Sequence, residues 1–490
     1  MNGHSLGYIY GWGLALFALL LLPPLLVATG AGEQQAAIGF LVTALISGFI
    51  GGALIIALKS NELELKRREK ILLIVGFWVT YSLLGAIPFE ASGVITERLN
   101  AIFEATSGLT TTGVTVLNEI TGQPKSIILW RAMLNWFGGF LTLFTVTFAI
   151  IRILGAERAE QELNRSTPQI SESSMHLYSS LRLILPIYLG FTFLGFFFLN
   201  FTGIPSFDAL CLTMSAISTG GFMPRDGSFI TYGSLSGMYV LSFLMVIGSI
   251  SVLWLNFLIK QEWSRMRRFM EPVWVMGSMA MLALVVLWLR YRYNYGSDFL
   301  GINFELASSV MDAVSLISTT GFAANDDSFA FIIPPYMMIM IYVGGGVLST
   351  AGGLKVTRIL LMFRQAHGEL RSLIYPHEVR PLYLSNEDKE FKYLSTVWVI
   401  FGLSILLIMT LAAILGAYGF GLESALFASI STFSNCGHCY EQARLVHTLD
   451  AGSVVDLAAP GKIAMIAAMI IGRLEFLVAI SLLNISFWRH

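Results

Sequence analysis

"SAISTGGFM" at residues 215–223 and "SLISTTGFA" at 315–323 decide how this chain is read. Each is a short polar passage among long apolar stretches. Each is followed by acidic residues, Asp226 in one case and Asp326 and Asp327 in the other. Two further stretches align with them on a glycine: "SGLTTTGVT" at 107–115 and "STFSNCGHC" at 431–439. The aligned glycines, Gly113, Gly221, Gly321 and Gly437, are separated by 108, 100 and 116 residues. Ahead of each lies a shorter apolar piece, at 99–109, 207–217, 304–317 and 423–433. A helix of a dozen residues reaches about 18 Å, roughly half the hydrocarbon thickness of a bilayer. Such a piece enters a membrane but does not cross it.

The rest of the sequence supplies the membrane. Of 490 residues, 55% are hydrophobic and 12% charged, and mean hydropathy is +0.71. Stretches of about 20 apolar residues read as spanning helices. Ten are predicted, at 8–29, 37–58, 71–89, 126–151, 181–200, 236–259, 272–290, 335–363, 393–418 and 463–487. The first is too long and too weakly basic at its front for a cleaved signal peptide. The segments 59–70, 152–182, 260–271 and 355–392, with the C-terminal tail, hold 21 of the 30 Lys and Arg residues. Basic linkers stay in the cytoplasm, so both termini are expected there. The net charge of −1 names no partner, and no nucleic acid is expected as one. Three cysteines cannot make a disulfide framework.

A unit of span, half-helix, polar loop and span is thus written four times. The expected fold is an all-α membrane protein with four such pseudo-repeats around a central pore. They occupy 59–165, 166–270, 271–366 and 367–490, after an N-terminal two-helix hairpin at 1–58. A hairpin of spans returns to its starting side, so the four loops share one orientation and can converge on an axis. Irregular backbone inside a membrane is tolerated where protein buries it or where it lines a wet cavity. Four converging loops would offer carbonyl oxygens to a desolvated cation. Glycine allows the positive φ that aims successive carbonyls alike, and the negative ends of the half-helices favour positive charge. The blander alternative, four unrelated outer loops, demands neither the preceding half-helices nor the near-equal spacing.

The stretches "FEATSGLTTTGVTVL" (103–117), "WRAMLNWFGGF" (130–140), "GGGVLSTAGGLKVTRILL" (344–361) and "GRLE" (472–475) resemble the TrkH branch of the Trk/Ktr/HKT potassium transporters, over nearly the whole chain. The resemblance implies potassium uptake across a bacterial cytoplasmic membrane by one polypeptide, usually paired as a homodimer with a pore in each subunit. It implies a filter built by Thr111, Thr112 and Gly113; Thr219, Gly220 and Gly221; Thr319, Thr320 and Gly321; and Asn435, Cys436 and Gly437. Some sodium-selective relatives carry serine at the first of these glycines. Gly113 therefore favours potassium. Potassium is the only metal implied. The resemblance also implies a separate cytosolic, TrkA-like regulatory subunit that binds nucleotides. No cofactor is expected on the chain itself, and its other surroundings are membrane lipids.

Gly344, Gly345 and Gly346, then Ser349 and Thr350, then Gly352, Gly353 and Lys355 interrupt the span at 335–363. Glycine costs about 1 kcal/mol in a helix interior relative to alanine, so an unwound segment is expected. In the family, this place holds an intramembrane loop that blocks the pore below the filter. The competing reading, a glycine face for close helix packing, would need regular four-residue spacing. A phosphate-binding loop is excluded because Val356 follows Lys355. An intramembrane charge normally faces a cavity or a partner. Arg473 matches the family's pore-facing arginine, an electrostatic barrier beside the loop. The fourth loop departs from the family in its Cys436-Gly-His438-Cys439. Two other readings come from that departure: a membrane thiol–disulfide oxidoreductase and a Cys/His metal site. A third, transport coupled to sodium or protons, would use an intramembrane carboxylate relay, which is not evident.

Overall fold

Pro23 and Pro24 lie inside the first apolar run, and proline suits the first turn of a helix but not its interior. In the computed structural model, that run is accordingly two helices, α1 (Gly3–Leu20) and α2 (Leu22–Ala31). They are followed by α3 (Gln34–Ala57). The structure describes residues 3–59, 65–147, 174–293, 299–375, 387–447 and 454–474. Among these, all regular structure is helical.

Repeat one consists of α4 (Arg67–Ala91), half-helix α5 (Arg98–Leu109) and α6 (Lys125–Thr145). Repeat two has α7 (Ser174–Phe201), half-helix α8 (Ser206–Ile217), then α9 (Leu235–Ser249) and α10 (Val252–Ile259). A short basic helix, α11 (Trp263–Arg268), leads to repeat three. There α12 (Glu271–Tyr293) precedes half-helix α13 (Phe299–Ile317), α14 (Pro334–Val343) and α15 (Val356–Ile374). Repeat four has α16 (Glu387–Ala417), half-helix α17 (Leu422–Phe433), α18 (Gly437–His447) and α19 (Ala459–Arg473). Seven described helices are long and apolar enough to cross a membrane, or eight with the bent α9–α10 pair taken as one span. This is a multi-pass membrane protein.

The packing order closes a circle. Each half-helix lies against the first span of its own repeat: α5 on α4, α8 on α7, α13 on α12 and α17 on α16. Each second span then wedges between its own half-helix and the next one. α6 touches α5 and α8, α9 touches α8 and α13, α14 touches α13 and α17, and α19 touches α17 and α5. The N-terminal hairpin packs on α4 and α6 of repeat one. Outward faces carry Phe193, Phe197, Trp274 and Trp288, all exposed. Apolar side chains directed outward suit a lipid surround, because only the inner face then has to be close-packed.

Three predictions need correction. The span at 236–259 is not continuous: α9 and α10 meet at 108°. The bend lies at Ile250-Ser251, where no proline or glycine run announced it. Half-helix α13 is longer than expected, because the chain ahead of residue 304 is already helical. The last span begins at Ala459 rather than 463, and its stretch from 475 onward lies outside the described residues.

Buried charges brace two of the four loops. Glu104 on α5 accepts the Val116 N–H at 2.9 Å and the Thr115 hydroxyl at 3.0 Å. Asp312 on α13 accepts the Ala324 N–H at 3.2 Å and the Ser328 hydroxyl at 2.8 Å. Both carboxylates stand nine residues before the aligned glycine, and both amides three residues after it. Each carboxylate has a buried arginine partner, Arg131 at 2.8 Å and Arg290 at 2.6 Å. Arg131 also donates to the Met223 carbonyl at 3.3 Å and lies 4.1 Å over the Phe222 ring. It thereby ties repeat one to repeat two. Repeat two has Leu212 and Pro224 at the equivalent positions. Proline has no N–H, so no acceptor is required there. Repeat four has Ala428 and Tyr440, and Tyr440 lies within α18.

Removing one member of a buried pair leaves an uncompensated charge, which costs about 3–5 kcal/mol. Arg131→Met is expected to lower thermal stability in detergent by that order. Glu104→Gln combined with Arg131→Met should lower it less. Equal stability of Arg131→Met and wild type in a thermal-unfolding assay would remove the bracing role.

Candidate functional site

The ends of the four half-helices are built alike. In α5, the Thr112 N–H bonds back to the Ser107 carbonyl and the Thr111 N–H to Gly108. The same pair of bonds recurs as Gly220 to Ser215 with Thr219 to Ala216, Thr320 to Ser315 with Thr319 to Leu316, and Cys436 to Ser431 with Asn435 to Thr432. This is the Schellman ending, in which one residue takes a left-handed conformation so that orphan helix carbonyls find donors. Glycine usually holds that position. Here it is Thr111 (φ 55°), Thr219 (53°), Thr319 (59°) and Asn435 (53°). A β-branched residue at positive φ is an outlier, and such residues cost on the order of 1–3 kcal/mol each. Three of the four repeats carry this strain at the same position, and the fourth uses asparagine, which tolerates the conformation. The recurrence of the left-handed turn in all four marks a shared constraint.

Beyond the left-handed residue the strips meet edge to edge. A Cβ on Gly113 would lie 2.5 Å from the Gly220 carbonyl oxygen. One on Gly221 would collide with the Thr320 carbonyl, and one on Gly321 would lie 2.9 Å from the Cys439 nitrogen. One on Gly437 would collide with Val114. Loop one therefore abuts loop two, two abuts three, three abuts four, and four returns to one. All twelve residues assigned to the filter from the sequence, Thr111 to Gly113, Thr219 to Gly221, Thr319 to Gly321 and Asn435 to Gly437, are buried in this ring.

The fourth quarter differs. Gly113, Gly221 and Gly321 have φ of 83°, 79° and 86°, but Gly437 is not among the residues with positive φ. It opens helix α18 instead of continuing an extended strip, and its N–H donates to the Thr112 carbonyl at 2.6 Å. The expectation that all four glycines use positive φ is thus corrected for one of them. Cys436 and Cys439, both fully buried, are joined as a disulfide between Cα atoms 5.7 Å apart. No group of three or more His, Cys, Asp or Glu side chains among the described residues is arranged to hold a metal ion.

Below the ring sits the glycine-rich segment, and the expected break is there. Helix α14 ends at Val343 and α15 resumes at Val356. Leu348 (φ 61°) and Lys355 (80°) are further left-handed residues within it. The glycines serve close backbone approach: a Cβ on Gly352 would collide with the Ser434 carbonyl, and one on Gly344 with the Gly352 carbonyl. That use excludes the helix-packing reading. Thr350 donates to the Ile217 carbonyl at 2.9 Å, and the Thr219 hydroxyl reaches it at 3.4 Å. The Gly352 N–H donates to the Thr319 hydroxyl at 2.7 Å. Ser349 bonds within the loop, to the Gly346 carbonyl at 2.5 Å, and the Lys355 ammonium donates to the Ala351 carbonyl. Arg473 donates to the Thr350 carbonyl at 2.6 Å and to the Thr142 hydroxyl at 2.7 Å. Thr350, Gly352 and Arg473 are therefore gathered directly under the strained threonines.

The loop also explains the unexpected bend in repeat two. The Thr350 N–H and Gly346 N–H donate to the Gly248 and Ser249 carbonyls, and the Val252 N–H donates to Leu348. These are the groups that an unbroken helix would have paired internally. Each broken span thus supplies the partners of the other.

Several site residues escape a sequence reading. Gly138, Gly248 and Gly472 let the last carbonyl of a half-helix press against the second span. A Cβ at Gly138 or Gly472 would collide with the Leu109 or Phe433 carbonyl, and one at Gly248 would lie 2.6 Å from Ile217. Asn135 donates to the Ser215 hydroxyl at 3.2 Å behind Gly220. The signal available was a small residue in the same place on three second spans. In the loops beyond the first two strips, Asp226 accepts the Ile120 and Thr121 N–H groups at 2.9 and 2.7 Å. Burial pushes its carboxyl up, but these amides, the Thr121 hydroxyl and Arg131 outweigh it and hold the group below its usual range. Glu475 of the "GRLE" stretch lies outside the described residues.

Comparison with known proteins completes the assignment. The family model described as "TrkH: Cation transport protein" matches residues 34–486. The Trk system potassium uptake protein TrkH of Salmonella typhimurium is 31% identical over the full length of both chains. Trk system potassium uptake protein TrkG of Escherichia coli is 26% identical, over 99% of this chain and 98% of its own. The crystal structure of the potassium transporter TrkH from Vibrio parahaemolyticus superposes with a TM-score of 0.86 at 26% identity, over all of both chains. A ring of four half-helix endings above a glycine-rich break, with matches of this extent, places the chain in the TrkH family of cation transport proteins.

Proposed function

We propose that this protein takes up potassium across a bacterial cytoplasmic membrane. Potassium is its cargo, and the twelve ring residues form its selectivity filter. One observation carries the reading: four Schellman endings, each with a non-glycine left-handed residue at the same place, close edge to edge into one ring. Carbonyls held in such a ring replace a hydration shell. The Thr111 hydroxyl is buried without a protein partner in the structure, which suits a ligand for a passing ion. The loop containing Gly344, Gly345, Gly346, Ser349, Thr350, Gly352, Gly353 and Lys355 is read as the gate, with Arg473 as its upper anchor. The four-repeat division at 59–165, 166–270, 271–366 and 367–490 belongs to the same reading. So do the homodimer, the nucleotide-binding TrkA-like partner and the cytoplasmic termini. The similar proteins are transporters rather than enzymes, so the oxidoreductase reading gives way. Downhill conduction is favoured over coupled transport, because the buried carboxylates Glu104 and Asp312 are engaged with arginines and backbone amides.

Flux into proteoliposomes tests the cargo: potassium and rubidium should enter well ahead of sodium and lithium. Equal entry of all four removes the selectivity claim. Absence of flux, with thiol-dependent electron transfer to a quinone, removes the transport claim. Gly113→Ser must displace the Gly220 carbonyl, and the rubidium-to-sodium flux ratio should fall by about tenfold, equivalent to about 1.4 kcal/mol. An unchanged ratio would show that this strip does not select. Arg473→Ala removes a charge-assisted bond worth about 1.5–3 kcal/mol, so rubidium flux without any regulator should rise by about tenfold or more. A flux at or below wild type would end the anchoring role.

A further inference from the structure

Arg473 holds the glycine-rich segment from repeat four, but a second charged side chain grips it from the other end. Glu271 occupies the first turn of α12, immediately after the basic stretch carrying Arg265, Arg267 and Arg268. Its Oε1 accepts the N–H of Val347, and a Cβ on Gly346 would lie 3.3 Å from that same oxygen. The carboxylate also faces the charges of Lys355 and Arg358 at the start of α15. The segment is thus held at two points of opposite polarity. An arginine takes a carbonyl at Thr350, and a carboxylate takes an amide three residues earlier. Between those points, Leu348 stands at φ 61°, so the stretch under strain is the one between the two clamps.

We propose that Glu271 is the lower latch of the gate, a positioning residue that keeps the segment seated beneath the ring. This rests on the reading of residues 344–355 as a gate. Hydrogen bonds to charged groups hold more strongly than neutral ones. Losing one that is made only in the seated arrangement shifts the population toward the unseated one by the corresponding factor. Glu271 is also the first residue of α12, directly after the linker that joins α11 to α12. A movement of that linker would reach the segment through this carboxylate without first passing through the ring.

The test is rubidium uptake by proteoliposomes holding the full chain alone, for wild type, Glu271→Ala, Glu271→Gln and Arg473→Ala. Glutamine keeps the acceptor but not the charge. The latch predicts a rise of about tenfold for Glu271→Ala, a smaller rise for Glu271→Gln, and an unchanged rubidium-to-sodium ratio in both. A merely structural role would lower uptake instead of raising it. Uptake of Glu271→Ala at or below wild type, while Arg473→Ala is raised, overturns the latch and leaves the gate standing. No rise in any of the three variants overturns the gate and the latch with it. If Glu271→Ala fails to elute as a single species, Glu271→Gln carries the test, and an unchanged Glu271→Gln uptake then overturns the proposal.

Discussion

Backbone amides and carbonyls inside a membrane protein have no water to fall back on, and the half-helix endings and the two broken spans of this chain answer that constraint. The half-helices stop midway, so their last carbonyls must be met from within. The Schellman endings meet two of them at each terminus by turning one residue left-handed. The bend at Ile250 frees the Gly248 and Ser249 carbonyls, and the unwound segment after Val343 supplies the Thr350 and Gly346 amides that they accept. Neither break would be tolerable alone. They are a single feature built from two repeats.

The same constraint explains why the four repeats are alike in backbone but not in side chain. An extended strip leaving the ring exposes an amide three residues past the glycine. Repeats one and three satisfy it with a buried carboxylate and neutralise the carboxylate with arginine. Repeat two abolishes the donor with Pro224, and repeat four removes the strip by beginning α18 at Gly437. Opposite quadrants thus meet that amide with a buried carboxylate, whereas quadrant two removes the donor and ties its loop to α8 through a partly exposed Asp208–Arg225 pair, and quadrant four uses a helix. Quadrant four adds the Cys436–Cys439 link where the other repeats run extended.

Much of this was legible in the sequence because glycine spacing and apolar length report backbone directly. The aligned glycines placed the ring, and the triple glycine placed the unwound segment. Three of the half-helices fall within one residue of the predicted boundaries. What the sequence hid were features set by contact between distant segments. Nothing local in "IGSISV" requires a bend, because the stabilising partners lie a hundred residues away. The left-handed threonines were equally invisible, since threonine is a poor choice for that conformation and only the surrounding ring enforces it. Glu104 stands as a lone acid in its half-helix, and Asp312 shares its half-helix only with Glu305, visible anomalies whose meaning depends on the arginines and amides that folding brings to them.

The strained residues join the two halves of the site. Thr219 and Thr319 sit at the end of their half-helices, where their backbone turns the chain into the ring. Their hydroxyls are also the groups that meet Thr350 and the Gly352 amide from below. Asn435 donates instead to Thr112 and to the Met469 carbonyl, and Thr111 is left unpartnered. Both hydroxyls also donate to the preceding carbonyls of Ser218 and Ser318 at 2.7 Å, so the group that the seated segment takes up is the lone pair of Thr319, which accepts from the Gly352 amide. On the proposed reading of the segment as a gate, seating it and coordinating an ion at the lower edge of the ring would compete for the Thr319 hydroxyl oxygen. Such a gate would do more than stand in the path: it would withdraw a ligand from the last site that the ion must occupy.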